Sequence, residues 1–583
     1  MSLRVAGSIA TSALRASEVG MAVASSNVAN AGTDGYTRKI ASNTTRDTAV
    51  GVASVDVASI RSNVDQYLLK TIVSATSDLG KATTRNDYLD QLQAALGSVS
   101  SDGSGTDLGS MIDAVADVAA TLATSPESES AKAAVVQSVS DLAESLRNTS
   151  SSVQALRAQA DDAVATTVDS VNASLTTLDD LNDRIVKGKA LGQNTTDLED
   201  QRNEALKALA TNINVTYQVD SNGMMRISTA SGKALLDSSV HELSYTSAAS
   251  VSASTVYSAT GTSGFQGIMI DGVDMTNSLT GGTLGTLVTL RDKELPAQQA
   301  RLDELATTLK ETLNGVQNQG TASPPPQTLT GTVAVSGSDA LAVTSGTLRV
   351  AVTDSSGTAA EVLDIDLATT STLQDVVDAI NTMSNASASI SSDGKLVIAA
   401  NNSGGSASNG VALGGDGGAF STAYGMNDLL TGTGASDIRI SSAIGANSAL
   451  LATGALSTAS GLTAGGTALA SGDGSVAQAL SASFSASRGF DTAGGLAGRT
   501  TTLAGYAGAV IQGAATLAAA ASTTYDSQNT YTTSLETSFS SQSGVNVDEE
   551  TAAISTLQSA YEAAAAVMKA LQDMFDAALN MVQ

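Results

Sequence analysis

The side chains that most often carry chemistry are scarce in this chain of 583 residues. It has no cysteine and a single histidine, His241. A disulfide, a thiolate metal site and a cysteine nucleophile are therefore excluded, and a Ser-His-Asp triad would have to use His241. That histidine follows a predicted strand without a companion ligand, which is typical of an ordinary surface position. We expect no catalytic residue, no metal site and no cofactor, so the protein is predicted not to be an enzyme.

Two short patterns could bind phosphate or calcium, but each lacks the context that such a site needs. Gly232-Lys233 is followed by Ala234, so it is not a P-loop. The segment Gly414–Gly418 matches one calcium β-roll unit, and one copy cannot form a site built from stacked repeats. A third pattern is best explained as a solvated acidic helix face: Asp179, Asp180 and Asp183 beside Arg184.

The charge balance excludes further classes of partner. Lys and Arg number 29 against 57 Asp and Glu, a net charge of −28, so the basic surface expected of a nucleic-acid or anionic-membrane binder is absent.

Met1–Val28 has no uninterrupted apolar core of signal-peptide length. The most apolar stretch, Gly508–Ala521, is too short for a membrane span and contains Gln512. We expect a cytoplasmic protein or one exported without a cleaved signal peptide.

The first predicted element is a helix with a heptad pattern. Leu14, Met21 and Val28 lie seven residues apart. The matching second row contains Leu3, Ala10, Ser17 and Ala24. The helix is predicted over 3–30, and the breaker-rich segment Asn27–Tyr36 ends it. Such a narrow stripe is marginally stable alone and needs a partner.

The last predicted element carries the most regular pattern. Its first row, with a spacing of seven, contains Val547, Ile554, Tyr561, Met568, Phe575 and Val582. Its second row contains Leu557, Ala564, Leu571 and Ala578. An ordinary amphipathic core helix is the alternative interpretation. The strict 3.5-residue period favours a seam with another helix.

Four separated blocks resemble the flagellar axial proteins, the family of rod, hook and hook-associated subunits. The first is similar to the family's Asn-x-x-Asn-x-x-Thr-x-Gly-Tyr signature, with Asn27, Asn30, Thr33, Gly35 and Tyr36 at the matching positions. Asp34 stands where Pro is often found. Tyr36-Thr37-Arg38 resembles the hook-associated branch more than the rod or hook subunits.

The other three blocks resemble the hook-associated branch. Leu181–Ile185 with Asp197–Leu206 is similar to its Leu-Asn-x-x-Ile … Asp-Leu-x-Asp-Gln-Arg-Asp region. Gly281–Pro296 resembles its Gly-Gly-x-Leu-x-Gly … Arg-Asp … Leu-Pro segment. Ser543–Ala563 resembles its C-terminal Ser-Gly-Val-Asn-x-Asp-Glu-Glu … Tyr-x-Ala segment. The resemblance lapses over 327–420.

The resemblance implies a structural subunit of the bacterial flagellum, extracellular, at the junction between hook and filament. It implies export in an unfolded state through the flagellar type III apparatus. The implied partners are further copies of the chain in a ring, the hook protein, the next hook-associated protein, and an export chaperone at the C-terminal region. Neither nucleic acid nor membrane is an expected partner.

The fold class predicted is α+β multidomain, with paired terminal heptad helices, a helical bundle core and a β-rich outer domain. The length favours about four domains, and Pro324–Pro326 marks a boundary. The expected divisions are an N-terminal assembly helix (1–36), a helical core domain with a β-hairpin insertion near 211–280 (37–322), a β-rich outer domain (327–470), a return helix (471–545) and a C-terminal assembly helix (546–583).

Local signals within these divisions are specific. Asn222-Gly223 and Asp393-Gly394 each predict a type I′ hairpin turn. Thr372 and Asp375 have the spacing of a helix capping box. In the signature turn, Asn27, Asn30 and Thr33 are expected to bond backbone groups at the helix end, and Gly35 to supply a positive φ.

The two terminal stripes are expected to form the assembly interface, and residues from about 545 onward to be mobile in the free monomer. The predicted interface residues are Leu14, Met21, Val28, Val547, Ile554, Leu557, Tyr561, Met568, Leu571 and Phe575.

Two alternatives compete with this interpretation. Within the same class, the chain could be the third hook-associated protein or a flagellin-like subunit, which the Asp-Gln-Arg block at 200–202 and the length disfavour. In a different class, an acidic Ser/Thr-rich surface adhesin would share the composition but would not need heptads at both ends.

Overall fold

A computed structural model describes residues 3–47, 53–97, 107–259, 264–402 and 408–581. The α-helices are α1 (Leu3–Asn30), α2 (Gln66–Ala95), α3 (Leu108–Thr124), α4 (Glu129–Ala190), α5 (Thr196–Asn212), α6 (Gly282–Thr289), α7 (Leu295–Gln317), α8 (Leu373–Ile380), α9 (Ala419–Tyr424), α10 (Ser442–Ala446), α11 (Ser475–Ser485), α12 (Leu503–Ser543) and α13 (Val547–Asn580). A π-helical turn, Leu290–Glu294, joins α6 to α7.

The strands are β1 (Lys39–Asp47), β2 (Ala53–Ser62), β3 (Val215–Val219), β4 (Met225–Thr229), β5 (Ala234–Leu236), β6 (Leu243–Ser244), β7 (Met269–Ile270), β8 (Val273–Asp274), β9 (Thr328–Ala334), β10 (Thr347–Thr353), β11 (Ala359–Asp366), β12 (Ala386–Ile390), β13 (Lys395–Ala400), β14 (Gly410–Gly414), β15 (Leu430–Thr431), β16 (Arg439–Ile440), β17 (Arg488–Phe490) and β18 (Arg499–Thr501). The predicted α+β multidomain fold is confirmed.

The long helix α4 organises the helical domain. The hydroxyl of Ser128 accepts the N–H of Ala131 at its start, and Lys187 and Lys189 lie in its last turn, where positive charge is favourable. Its buried residues recur every three or four positions along its length, so one face meets α3, α5, α6 and α7. Each large apolar side chain buried in this core contributes about 1.5–3 kcal/mol.

Helices from distant parts of the chain share this core. Leu175 of α4, Leu305 of α7, Leu480 of α11 and Val510 of α12 belong to one continuous apolar cluster. The hairpin predicted at Asn222-Gly223 joins β3 to β4, but the predicted type I′ turn is wrong: Gly223 has φ +94°, whereas Asn222 lacks the positive φ that this turn type also requires. That small sheet and the β6–β8 sheet cover part of α4.

The β-rich outer domain has its own apolar core between two three-stranded sheets, with strand orders β11-β10-β14 and β12-β13-β9, and α8. The capping box at Thr372 and Asp375 is confirmed. The Asp393-Gly394 turn joins β12 to β13, but it is not the predicted type I′ turn either, because Gly394 has φ +71° and Asp393 has no positive φ. The positions of the cap and of both hairpins were predictable because cap and turn residues act on their chain neighbours.

The structure divides 327–470 differently from the predicted single unit. Leu429, Leu430 and Leu451 pack in the core of the helical domain, where the Asn314 amide donates to the Leu430 carbonyl (2.8 Å). The chain then returns, and Leu456 and Leu469 pack on the outer sheet. The outer domain is therefore discontinuous, because the 429–451 segment carries apolar residues that the helical core buries.

The prediction of one return helix over 471–545 is wrong at its start. The structure has α11, then the short β17–β18 hairpin, and only then α12. Gly494 (φ +53°) and Gly495 (φ +77°) lie in the connection between the two strands. Positive φ values suit a tight turn, so this glycine pair forms the hairpin that lies between the two helical segments.

By length and composition alone, the helical run Leu503–Asn580, formed by α12 and α13, is apolar enough to cross a membrane. Core helices of globular proteins share these two properties. The structure interrupts the run between Ser543 and Val547, and α12 packs along α2 in the helical domain.

Candidate assembly site

Helices α1 and α13 pack along each other, and small residues lie along much of their line of contact. Ala10, Ser17 and Ala24 are the buried residues of the second heptad row in α1. Gly20 permits the closest approach, because a Cβ atom there would lie 3.0 Å from Cδ1 of Leu557. Small side chains let the two helix backbones come together.

The buried positions of α13 all belong to one heptad row. They are Glu550, Ala564 and Leu571. Leu557 of the same row is half-buried. The row of large side chains therefore lies beside the line of contact and leaves much of its apolar surface exposed.

The predicted interface residues divide into three groups in this helix pair. Leu571 is buried. The half-buried residues are Leu14, Met21, Val28, Ile554, Leu557 and Met568. The exposed ones are Val547 (44%), Tyr561 (40%) and Phe575 (43%). Val582 lies outside the described residues.

The outer part of α13 presents an apolar surface. Its exposed large side chains are Val567, Met574, Phe575, Leu579 and, just beyond the helix end, Met581. A cluster of exposed large apolar side chains is typical of a surface that a partner covers. The pair formed by α1 and α13 therefore leaves unburied apolar area in the single chain.

Asn27, the first signature residue, is fully buried and links three segments. Its amide nitrogen donates to the Lys39 carbonyl (2.9 Å) and to Oε2 of Glu550 (3.0 Å). Its amide oxygen accepts the Lys39 N–H (3.0 Å) and the Tyr36 hydroxyl (3.0 Å). The expected bond to a backbone group at the helix end is thus wrong for Asn27. It binds the start of β1 and the first turn of α13 instead.

The other signature residues shape the turn. Gly35 has φ +75°, as predicted, and a Cβ atom there would lie 2.6 Å from Cγ of Glu204. The side-chain amide of Asn30 donates to the Ser26 carbonyl (2.9 Å). Thr33 is exposed and contributes its backbone carbonyl, which accepts the Tyr36 N–H (3.2 Å).

Residues 37–39 form what we term the brace, an extended segment whose alternate side chains face opposite sides, as period-two geometry requires. Thr37 binds Asp200 of α5 through both its N–H (2.9 Å) and its hydroxyl (2.6 Å), and the Lys39 ammonium binds the same carboxylate. Arg38 faces the other way and binds Glu550 (2.6 Å) and Glu549 (3.2 Å).

The brace therefore joins the helical domain to the terminal helices. The Arg38 N–H also donates to the Ser543 carbonyl at the end of α12 (2.7 Å). Asp200 and Lys39 are nearly inaccessible, with side chains 7% and 4% exposed. Burial raises the pKa of Asp200, and the hydrogen bonds from Lys39 and Thr37 offset only part of that rise.

Sequence reasoning missed Thr37, Arg38, Lys39, Asp200 and Glu550 as a single site. Most of them occur in three of the blocks that carry the family resemblance. The alternation at 37–39 could have indicated an extended segment with two polar faces. No pattern in the sequence identifies which carboxylates those faces meet.

Other residues of the resemblance blocks stabilise the helical domain. Arg202 donates to Oδ1 of Asn182 (3.0 Å) and to the Gly223 carbonyl (2.6 Å), and the Asn182 amide donates to the Met225 carbonyl (2.8 Å). This set fixes the β3–β4 hairpin on α4 and α5. Arg291 is buried and pairs with Asp161 (2.9 Å), holding the π-helical turn against α4.

His241 lies between two carboxylates on the domain surface. Its Nδ1 is 3.0 Å from Asp271 and its Nε2 is 3.4 Å from Asp237. The hydrogen bond with Asp271 is the main cause of the raised pKa of His241, and the interaction with Asp237 raises it further. Among the residues described here, no cluster of three or more His, Asp or Glu side chains suits a metal ion.

Replacing His241 with alanine is expected to leave motility intact and to change stability only slightly. Folding raises the pKa of His241. The stabilisation that protonated His241 contributes is therefore fully present at a pH below about 6.5, its pKa in the unfolded chain. It is lost as the pH rises through the folded pKa. Urea unfolding of both proteins at acidic and alkaline pH measures this difference. A loss of motility with an intact fold would contradict a purely structural role.

Three family models match the chain. "Flagellar hook-associated protein FlgK helical domain" matches residues 80–329. "Flagella basal body rod protein" matches residues 8–37, which cover most of α1 and the signature turn. "Flagellar basal body rod FlgEFG protein C-terminal" matches residues 536–581, which cover the end of α12 and all of α13. No curated protein matches significantly.

A solved structure has a similar fold: the flagellar hook junction protein FlgK from Burkholderia pseudomallei. The TM-score is 0.50 at 16% sequence identity, and the match covers 80% of this chain and 99% of that one. The terminal helices and the helical domain define a flagellar axial protein. Within that class, residues 80–329 match the helical domain of the FlgK-type hook-associated proteins, a structural family of the flagellum.

Proposed function

We propose that this chain joins hook to filament, and that it assembles through α1 and α13 into a ring of copies. The observation that carries the proposal is the apolar surface of α13, which α1 covers only in part. Neighbouring subunits would bury the remaining side chains, which include Tyr561 and Phe575. Each large side chain buried in this way contributes about 1.5–3 kcal/mol.

The same proposal includes export through the flagellar type III apparatus without a cleaved signal peptide. A cytoplasmic chaperone would cover the C-terminal region before export. The exposed apolar side chains of α13 support this role, because they would otherwise associate prematurely. The hook protein and the next hook-associated protein are the proposed neighbours along the axis.

Electron microscopy of flagella from a strain that lacks the gene tests the junction role. We expect hooks without filaments, with filament protein released into the medium. Complementation with the full chain should restore filaments. Normal filaments on the deletion strain would overturn the proposal.

The Met568→Asp variant tests the terminal helices. Met568 is half-buried against α1, with its sulfur 3.8 Å from Oγ1 of Thr11. A carboxylate there loses part of its hydration without gaining a partner, which costs about 1–3 kcal/mol. We expect an intact helical domain and a failure to cap hooks. Gln572→Asp, which adds the same charge at an exposed position of α13, is the matched control.

Amide hydrogen exchange on the free monomer completes this test. We expect residues from about 545 onward to exchange much faster than α4, since few of their side chains are buried. Strong protection of 550–580 in the monomer, or normal hook capping by Met568→Asp, would show that α13 is an internal core element.

A further inference from the structure

The edge of β2 lies along a groove between the N-terminal hairpin and the helical domain. The consecutive residues Val57–Ser62 line this groove, which has a volume of ≈ 810 Å³. A bulge at Ala58 interrupts the alternation of the strand, but beyond it the side chains of 59–62 alternate between the two faces. All four of these residues line the groove, so the strand edge itself faces it. The opposite wall contains the α4–α5 turn, residues 192–196, and the first part of α5.

The backbone along this edge has open hydrogen-bonding capacity. β1 and β2 form a two-stranded sheet, so each strand has one outer edge. On β1, the side chain of Asn27 binds both the N–H and the carbonyl of Lys39. On β2, the backbone of 57–62 pairs only with β1 among the described residues. An unpaired edge of this kind accepts an additional strand.

The charges in the groove favour an acidic occupant. Lys189 forms an ion pair with Glu199 (2.8 Å), and Asp200 forms an ion pair with Lys39. Arg202 is 4% exposed, binds neutral oxygens, and has an Nε without a partner. Arg61 donates to the Ser59 hydroxyl (3.1 Å) and contacts no carboxylate in the described part of the chain. Neither guanidinium forms an ion pair with a carboxylate of the described residues, although the charge of Glu199 acts on Arg202 at longer range and the whole chain has a net charge of −28.

We propose that this groove binds an extended, acidic segment of a second copy of the chain. The segment would add a strand to the edge of β2 and place a carboxylate near Arg61 and Arg202. A second copy fits because axial proteins self-assemble, because each copy is strongly acidic, and because the hairpin packs directly on α1. The proposal rests on the proposed function, since the ring would supply the second copy.

A photo-cross-linking residue at Ala58, an exposed position in the groove, tests the proposal in assembled flagella. The matched control carries the same residue at Val333 of the outer domain, which is 42% exposed. We expect a cross-linked dimer of the chain from position 58, absent in the free monomer and absent from position 333. Peptide mapping should place the cross-link on an acidic segment.

The possible results are distinct. Cross-links from position 58 to the hook protein or another axial protein would overturn the choice of partner. Filaments that assemble without a self-cross-link at 58 would overturn the groove proposal and leave the junction role intact. If the unsubstituted chain fails to restore filaments to the deletion strain, the proposed function itself fails.

Charge reversal tests the electrostatic part. Arg61→Glu should reduce the self-cross-link from position 58 several-fold, because it repels an acidic segment. Arg226→Glu is the control, since Arg226 is an exposed arginine on β4, outside the groove lining. An unchanged cross-link in Arg61→Glu, or an equal loss in both variants, would overturn the charge assignment.

Discussion

Replacing Asp200 with alanine is expected to lower the free energy of unfolding of the helical domain by about 3–5 kcal/mol. The substitution leaves the Lys39 ammonium, whose side chain is 4% exposed, without its buried counter-ion. It also removes the acceptor of both Thr37 hydrogen bonds. Urea unfolding followed by circular dichroism measures the loss. The expected change is large because a buried charge without a partner costs more than the pair contributes.

Asp197 provides the matched control for this prediction. It also faces Lys39, at 3.7 Å, but its side chain is 68% exposed. Asp197→Ala should therefore cost no more than about 1 kcal/mol. If Asp200→Ala does not fold, the double variant Lys39→Met with Asp200→Leu should recover a folded protein, because it removes both charges. Equal effects at positions 197 and 200 would show that burial of the pair is unimportant.

Local chemistry made much of the fold predictable. The start of α8 and the positions of the hairpins at Asn222-Gly223 and Asp393-Gly394 depend on cap and turn residues within a few positions. The structure of the return segment, 471–545, was harder to predict, because the Gly494-Gly495 pair lies within an otherwise helical composition. The 429–451 segment was assigned to the wrong core, because its apolar residues do not indicate which domain buries them.

The candidate site was predictable only in part, for a similar reason. Both heptad rows of the terminal helices follow from residue spacing. Which of the two α13 rows lies at the line of contact depends on the small side chains of α1, which are Ala10, Ser17 and Ala24. The chain has 57 acidic residues, and nothing near Asp200 in sequence shows that it meets a lysine 161 positions away. Long-range polar pairs of this kind are fixed by the assembled fold.

Glu550→Ala is expected to release the first turn of α13 while the helical domain stays folded. The carboxylate of Glu550 joins the Asn27 amide to the Arg38 guanidinium. Arg38 is 30% exposed and can turn to water, but Asn27 is fully buried and loses a partner that nothing replaces. A hydrogen bond to a charged group contributes about 1.5–3 kcal/mol, which is comparable to burying one large side chain of the terminal helix pair.

Glu549→Ala separates this anchoring role from a general loss of negative charge. Both glutamates contact Arg38, but the Glu549 side chain is 60% exposed and the Glu550 side chain only 4%. We expect faster amide exchange over 547–560 and poor hook capping in Glu550→Ala, and near-normal behaviour in Glu549→Ala. Because α13 has few buried residues of its own, the loss of this one contact should free most of the helix. Normal capping by Glu550→Ala would mean that neighbouring subunits, rather than the brace, fix α13 in the assembly.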